Sequence, residues 1–281
     1  MASSIRIGVV APGTRLEPAL AERVARFASD SFLDRAPEIV FHPQCFLSAG
    51  HFAGDDEARA AAFVEFANDP SFDAIWFARG GYGACRMAEA AIAQLGEDAR
   101  TKAYLGYSDA GALLAGLYRA GFENLAHGPM PVDMIREGGG AAVKRALDWL
   151  IDRTPEAREV GAMFDGKTAA FNITVLQSIL GTPLAPDLSD HVLMLEDVGE
   201  YLYRIDRALF HITSSPNVRK ATGIKLGRLS EVPENDKPFG ATEEEVVGYW
   251  CKRADIAYLG RCDIGHDVEN KVVPFGVWKG S

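Results

Sequence analysis

The stretch YLGYSDAGALLAGLYRAG, Tyr104 to Gly121, runs from a short apolar segment into leucines and alanines at helical spacing, with Gly106, Tyr107, Ser108 and Asp109 between them. A strand that turns directly into a helix is the repeating unit of a parallel sheet, because parallel neighbours need a crossover connection. The same plan stands just upstream in FDAIWFARGGYGACRMAEAAIAQLG, as strand, glycine-rich turn and helix. Earlier still, IRIGVVAP (Ile5 to Pro12) is a β-branched run stopped by Pro12 and Gly13. LEPALAERVARFASDSF has helical spacing, IVFHPQCF is a second strand candidate, and DEARAAAFVEFANDP is helical as far as Asp69-Pro70. Alternating strands and helices predict an α/β, doubly wound parallel sheet with helices on both faces over residues 1–152. Ligands bind such sheets beyond the carboxyl ends of the strands. The turns at 78–84 and 106–109 both fall there and are expected to face one another.

The rest of the chain reads differently. AAVKRALDWLIDRTPEAREV is a helix running into a polar segment, and residues 153–168 are expected to link two domains. In 169–281, FNITVLQSILGTPLAP is mixed, HVLMLEDVGE is a strand ending in acids, and YLYRIDRALFHITSS is an amphipathic helix. The short apolar runs ATGIKLGRL, ADIAYLGR and NKVVPFGVW then predict a smaller, β-rich α+β domain.

The 281 residues are 48% hydrophobic and 24% charged, enough to bury a sizeable core, and the net charge is −10. That balance argues against nucleic acid as a partner, which needs a basic face. Cys45, Cys85, Cys251 and Cys262 form no C-x-x-C and read as reduced thiols of a cytoplasmic protein. MASSIRIGVVAPGT lacks the apolar core of a signal peptide, and no later run is long enough to cross a membrane.

A serine at the corner between strand and helix is commonly an N-cap, its hydroxyl accepting an orphan helix N–H. It can also be the nucleophile of an elbow, lifted off the sheet with the next amide aimed at an oxyanion. Gly106-Tyr107-Ser108-Asp109-Ala110 follows G-x-S-x-G except at its last position. A nucleophilic serine needs a base and a group that orients the base. His266, in Gly265-His266-Asp267 between two apolar runs, is one candidate base. His127, in AHGPMP, is the competitor, whereas His211 sits at helical spacing and reads as structural. Glu196 ends the run VLML and is read as the first residue past a strand, with Asp197 and Glu200 as neighbours. These acids lack the alternation of a calcium loop. The turn ARGGYGACR could approach an anion with its backbone amides, but it has neither G-x-G-x-x-G spacing nor a P-loop lysine.

Taken together, FDAIWFARGGYGACR, LGYSDAGALL, HGPM, LGTPL, VLMLEDVGEYLYRIDRAL and DIGHDVENKVVPFG resemble the LD-carboxypeptidase family of serine peptidases, in family order and over nearly the whole chain. The resemblance implies a flavodoxin-like first domain, similar to class I glutamine amidotransferases. It also implies a Ser108–Glu196–His266 triad assembled across a cleft between the domains. The oxyanion would be held by the amide of Asp109 and one from Gly80 or Gly81. The implied substrate is a muropeptide whose terminal D-alanine is released across an L,D bond in peptidoglycan recycling, with no metal or cofactor, by a homodimer. A microcin-immunity type of peptidase acting on peptide-nucleotide amides is the alternative within the family, and a non-catalytic small-molecule binding protein is the alternative outside it. Arg79 and Arg86 are positional candidates for the substrate carboxylate, since arginine binds carboxylates in a bidentate manner. Where the family often has Gly-Gly-Asn, this chain has Ala170-Phe171-Asn172, so its cleft wall is expected to differ there.

Overall fold

The computed structural model describes residues 5–160 and 166–278. In chain order the elements of the first part are β1 (Arg6–Val10), α1 (Pro18–Phe32), β2 (Glu38–Phe41), α2 (Asp56–Asn68), β3 (Ala74–Phe77), α3 (Ala84–Ile92), α4 (Glu97–Thr101), β4 (Ala103–Gly106), α5 (Gly111–Arg119), β5 (Leu125–His127) and α6 (Gly139–Asp152). Those of the second part are β6 (Lys167–Asn172), α7 (Ile173–Ile179), β7 (His191–Val198), α8 (Leu202–Ser214), β8 (Gly223–Ser230), α9 (Glu243–Ala254), β9 (Ala257–Arg261), β10 (Val273–Pro274) and β11 (Gly276–Val277).

Two sheets result. The first runs β10-β5-β4-β3-β1-β2, parallel from β2 to β5, with β10 antiparallel at the edge. The order β2-β1-β3-β4-β5 is that of doubly wound sheets of the flavodoxin type. Its inner strands β3 and β4 are buried on both faces, which is why they read as continuous apolar runs rather than alternating ones. Ile7, Val9 and Trp76 pack beneath Val24 of α1 and Leu147 of α6, while Ile75, Phe77 and Tyr104 pack with Phe63, Met87 and Leu113 on the opposite face.

The second sheet runs β11-β6-β7-β8-β9, parallel from β6 to β9. This corrects the expected β-rich α+β domain: helices α7, α8 and α9 fill the crossovers, so the second unit is also α/β. The strands after α8 read as isolated apolar runs because the acid-rich helix α9, TEEEVVGYWCKRA with its capping box Thr242–Glu245, hides its apolar face among charges. The C-terminal segment belongs to both sheets, since β10 pairs with β5 and β11 with β6. One apolar cluster continues from Leu113 and Leu117 of α5 through Phe171 and Leu176 to Leu209 and Val246. The expected linker 153–168 contains a 3-10 turn at Pro155–Ala157 and the start of β6, and its stretch 161–165 lies outside the described residues.

Candidate active site

Ser108 follows β4 and opens a 3-10 turn that leads into α5. Its φ is +58°, a left-handed conformation that costs a residue with a Cβ of order 1–3 kcal/mol and persists only where the surroundings enforce it. The enforcing parts are local. Tyr107 is buried and donates its hydroxyl to Asp133 Oδ1 at 2.8 Å, and Ala110 is buried where a Cβ on Gly106 would come within 3.3 Å of its methyl. Glycine is therefore not required in the last place of the elbow. The Ser108 hydroxyl caps no helix. It lies 3.0 Å from Nε2 of His266 instead, so the N-cap reading gives way to the elbow.

The other ring nitrogen of His266, Nδ1, lies 2.5 Å from Glu196 Oε2. An ionised carboxylate only accepts, so Nδ1 carries the proton and Nε2 is left to accept from the Ser108 hydroxyl. Glu196 is not past its strand. β7 extends to Val198, and Glu196 pairs in register with Asn172 of β6, fully buried. Because the strand continues, alternation turns Asp197 to the other face, where it accepts from Asn172 Nδ2 and from the backbone and hydroxyl of Thr174. Glu200 is further out, 3.4 Å from Arg204. Burial alone would lower the His266 pKa, but the charge and hydrogen bond of Glu196 outweigh it and the net shift is upward.

His266 sits on a loop without regular structure between β9 and β10. Side chains hold that loop. Arg228 of β8 forms ion pairs with Asp263 and Asp267 on either side of it. Asn270 Oδ1 accepts from the Gly265 amide at 3.2 Å and from His127 Nε2 at 3.2 Å. His127, the competing base, is thus buried against Asn270, its one side-chain hydrogen-bond partner among the described residues. Desolvation drives its pKa down to about 4. The ring of Tyr107 lies between the two histidines, 5.5 Å from His127 and 4.8 Å from His266. Nothing in the sequence spacing pointed to Asn270, because its partners are 5 and 143 residues away.

The glycine turn reaches the same point. A Cβ on Gly80 would come 2.6 Å from Ser108 Oγ, so only glycine lets this turn lie against the serine, whereas a Cβ on Gly81 would strike Thr14. The Asp109 amide is 3.6 Å from that same Gly80 position. Arg79 is half-buried, donates from Nη1 to the Arg15 carbonyl at 3.1 Å, and burial lowers its pKa. Arg86 is paired with Asp56: its guanidinium forks onto that carboxylate with contacts of 2.8–3.0 Å. Phe171 does not line the cleft. It is buried edge-to-face on Phe275, 5.2 Å between centroids, and beside Gly111 at the start of α5.

A cavity of about 870 Å³ lies away from this constellation, near the amino ends of β5, β6 and β7, lined by residues such as Tyr118, Arg153, Lys167, His191 and Trp278. Among the described residues no group of three or more His, Cys, Asp or Glu side chains could hold a metal ion, and no helix is long and apolar enough to cross a membrane.

Comparison with known proteins matches the LD-carboxypeptidase N-terminal domain over residues 7–128 and the LD-carboxypeptidase C-terminal domain over residues 165–279. A protein of Synechocystis sp. named as a carboxypeptidase is 32% identical over 258 residues, 85% of this chain and 79% of that protein. The murein tetrapeptide carboxypeptidase of Pseudomonas aeruginosa is 26% identical over 245 residues, 80% of this chain and 78% of that protein. Among solved structures, muramoyltetrapeptide carboxypeptidase from Oxalobacter formigenes superposes with a TM-score of 0.78 at 23% identity, covering 96% of this chain and 93% of that one. The microcin C7 self immunity protein MccF superposes with a TM-score of 0.76 at 19% identity, covering 99% and 92%. These two likenesses establish the fold.

Proposed function

The chain belongs to the LD-carboxypeptidase family, and from that premise we propose that it is a cytoplasmic serine carboxypeptidase that releases the terminal D-alanine of murein tetrapeptides across the L,D bond. The observation that carries this reading is the His266 ring, with one nitrogen on Ser108 Oγ and the other on Glu196 Oε2. Ser108 Oγ attacks the scissile carbonyl while His266 Nε2 takes its proton. The amide of Asp109 and one from Gly80 or Gly81 meet the oxyanion. His266 then gives the proton to the departing D-alanine amine, and water, deprotonated by the same nitrogen, releases the acyl group. Glu196 holds the imidazole tautomer and offsets the imidazolium charge without itself being protonated.

The murein substrate is supported by the Pseudomonas relative's name, whereas the MccF likeness, at 19% identity, speaks for fold alone. A non-catalytic binding protein would have no use for a strained serine hydrogen-bonded to a buried His–Glu pair. The test is to incubate the protein with a panel of murein tetrapeptides and a peptidyl-nucleotide amide, and to identify the products by mass. Release of D-alanine from the tetrapeptide is the expected result. Cleavage of the nucleotide amide alone would move the chain to the other branch, and failure of Ser108 to react with a fluorophosphonate would remove the serine mechanism altogether.

A further inference from the structure

We propose that the side chain of Asp109, beside the nucleophile, is a positioning residue that works with Arg59 to clamp the glycine turn 79–83 onto the Ser108 elbow. This rests on the serine mechanism above and assigns it a part beyond the triad and the backbone amides. Three loops converge on this carboxylate. Its own loop carries Ser108. The second is the glycine turn: Gly83 precedes α3 and has no side chain with which to cap it, and Asp109 Oδ2 supplies the cap from the neighbouring loop, accepting the Ala84 amide at 2.9 Å. The third is the β1–α1 loop, where a Cβ on Gly13 would come 2.9 Å from the same Oδ2 and 3.1 Å from the Gly80 carbonyl. Only glycine at position 13 leaves room for both.

Arg59 of α2 closes the clamp from the other side. It is 1% exposed, yet its Nη1 donates to the carbonyls of Pro12 and Gly83, the latter at 2.8 Å, so it ties the β1–α1 loop to the glycine turn. Its ion pair with Asp56 and its position 4.7 Å over the Phe52 ring fix the guanidinium. A turn held this way keeps Gly80 against Ser108 Oγ, which is where a second oxyanion donor must be preorganised rather than recruited.

The clamp makes the site sensitive to the charge on Asp109. The charged or titratable groups that face it are Arg59 from α2, His51 from the loop before α2 and Cys85 from α3. Burial raises the Asp109 pKa to about 6, against the pull of the Ala84 and Gly83 amides. Protonation turns an ionic cap into a weak one, so the clamp loosens as pH falls through that value. His266 must also be deprotonated to act as base. Two groups therefore have to lose protons, and below pH 6 the logarithm of kcat/KM should fall with a slope approaching about two.

The test measures fluorophosphonate labelling of Ser108 and tetrapeptide kinetics from pH 5 to 9 in the wild type, Asp109→Asn and Gly13→Ala. The asparagine keeps the shape and removes the charge. Gly13→Ala keeps the charge but displaces the carboxylate. For Asp109→Asn we expect labelling and kcat to fall together by roughly 10- to 100-fold, KM to change by less than about threefold, and the acid limb to flatten to a slope near one. Gly13→Ala should slow labelling in the same direction by a smaller factor. Wild-type labelling rates and an unchanged acid limb in folded Asp109→Asn would overturn the clamp and leave the serine mechanism standing. If Asp109→Asn does not fold, Gly13→Ala decides: slowed labelling supports the clamp, and a wild-type rate rejects it. A wild-type protein that does not label at all removes the serine reading and the clamp with it.

Discussion

The two domains hold their parts of the site by different means. The first presents Ser108 on a backbone corner at φ +58°, between strand β4 and helix α5 and next to buried Tyr107. The second presents Glu196 from the middle of strand β7 and His266 from an irregular loop tied by Arg228 and Asn270. Ser108 is held on a strained backbone corner, Glu196 by a strand ladder, and the His266 loop by side-chain hydrogen bonds. Ser108 and His266 are partly exposed while Glu196 is sealed.

The sharpest way to break this comparison is to remove the strained member. Ser108→Ala should lower kcat by a factor on the order of 10⁴ or more with the circular dichroism spectrum unchanged. Because alanine also resists φ +58°, the gain in stability should be small. Near-wild-type turnover in the folded variant would show that the elbow is only a turn.

Next in size is the acid. Glu196→Gln keeps the shape and removes the charge that fixes the His266 tautomer, so kcat should fall by roughly 10² to 10⁴ with KM little changed, whereas Glu200→Gln should stay within about threefold of wild type. The pH profile gives the sign. Activity needs neutral His266 and so rises with pH through its pKa. Glu196 holds that pKa above 6.5; without the charge, burial lowers it, and the acid limb of the residual activity should move to lower pH. A limb that stays in place in Glu196→Gln would mean that another group sets it.

The same contrast explains what could be read from the chain beforehand. Strand and helix alternation before α6 was legible because each element carries its own period or apolar run, and the elbow was legible because GYSD sits at a strand end. Glu196 was legible as a strand residue, although its place inside β7 was not, since an acid after VLML reads as an exit when the partner strand is unseen. Contacts made across the fold left no local mark. The Asn270–His127 tie, the cap from Asp109 to Ala84, and β10 crossing back to the first sheet all join residues that are 25 to 148 positions apart. Helix α9 was missed for a different reason: its buried Val246, Val247 and Cys251 are outnumbered by acids and bases that face water.

A smaller effect is expected at the seam. Neutral His127 donates to Asn270, which also holds the Gly265 amide next to His266. His127→Gln retains a donor and should keep turnover within about tenfold. Its signature should be in stability. In the wild type the unfolded chain takes up a proton near pH 6.5 while folded His127 resists until about 4, so His127 costs stability as pH falls through that window. Urea unfolding at pH 7 and pH 5 should therefore show a smaller loss on acidification in His127→Gln than in wild type. A collapse of kcat with unchanged stability would instead give His127 a chemical role.

The smallest effect belongs to Arg86, and it bears on how the first domain meets the substrate. A carboxypeptidase must bind a free carboxylate, and two arginines flank the glycine turn. Arg86 already has its carboxylate: both oxygens of Asp56 lie within 3.0 Å of its guanidinium nitrogens, and that pairing raises its pKa. To serve the substrate it would have to release one carboxylate for another, which gains little between exposed groups. Arg79 has only the Arg15 carbonyl as partner among the described residues, and its Nε is buried with none. Arg86→Ala should thus leave KM within about twofold of wild type, while Arg79→Ala should raise KM about tenfold or more at nearly constant kcat if Arg79 takes the substrate carboxylate. Steady-state kinetics on the tetrapeptide and on its C-terminal amide separate the two, because loss of the carboxylate-binding arginine should erase the preference for the free acid. A large KM effect at Arg86 alone would mean that the Asp56 pair opens on binding and that Arg86, not Arg79, meets the substrate carboxylate.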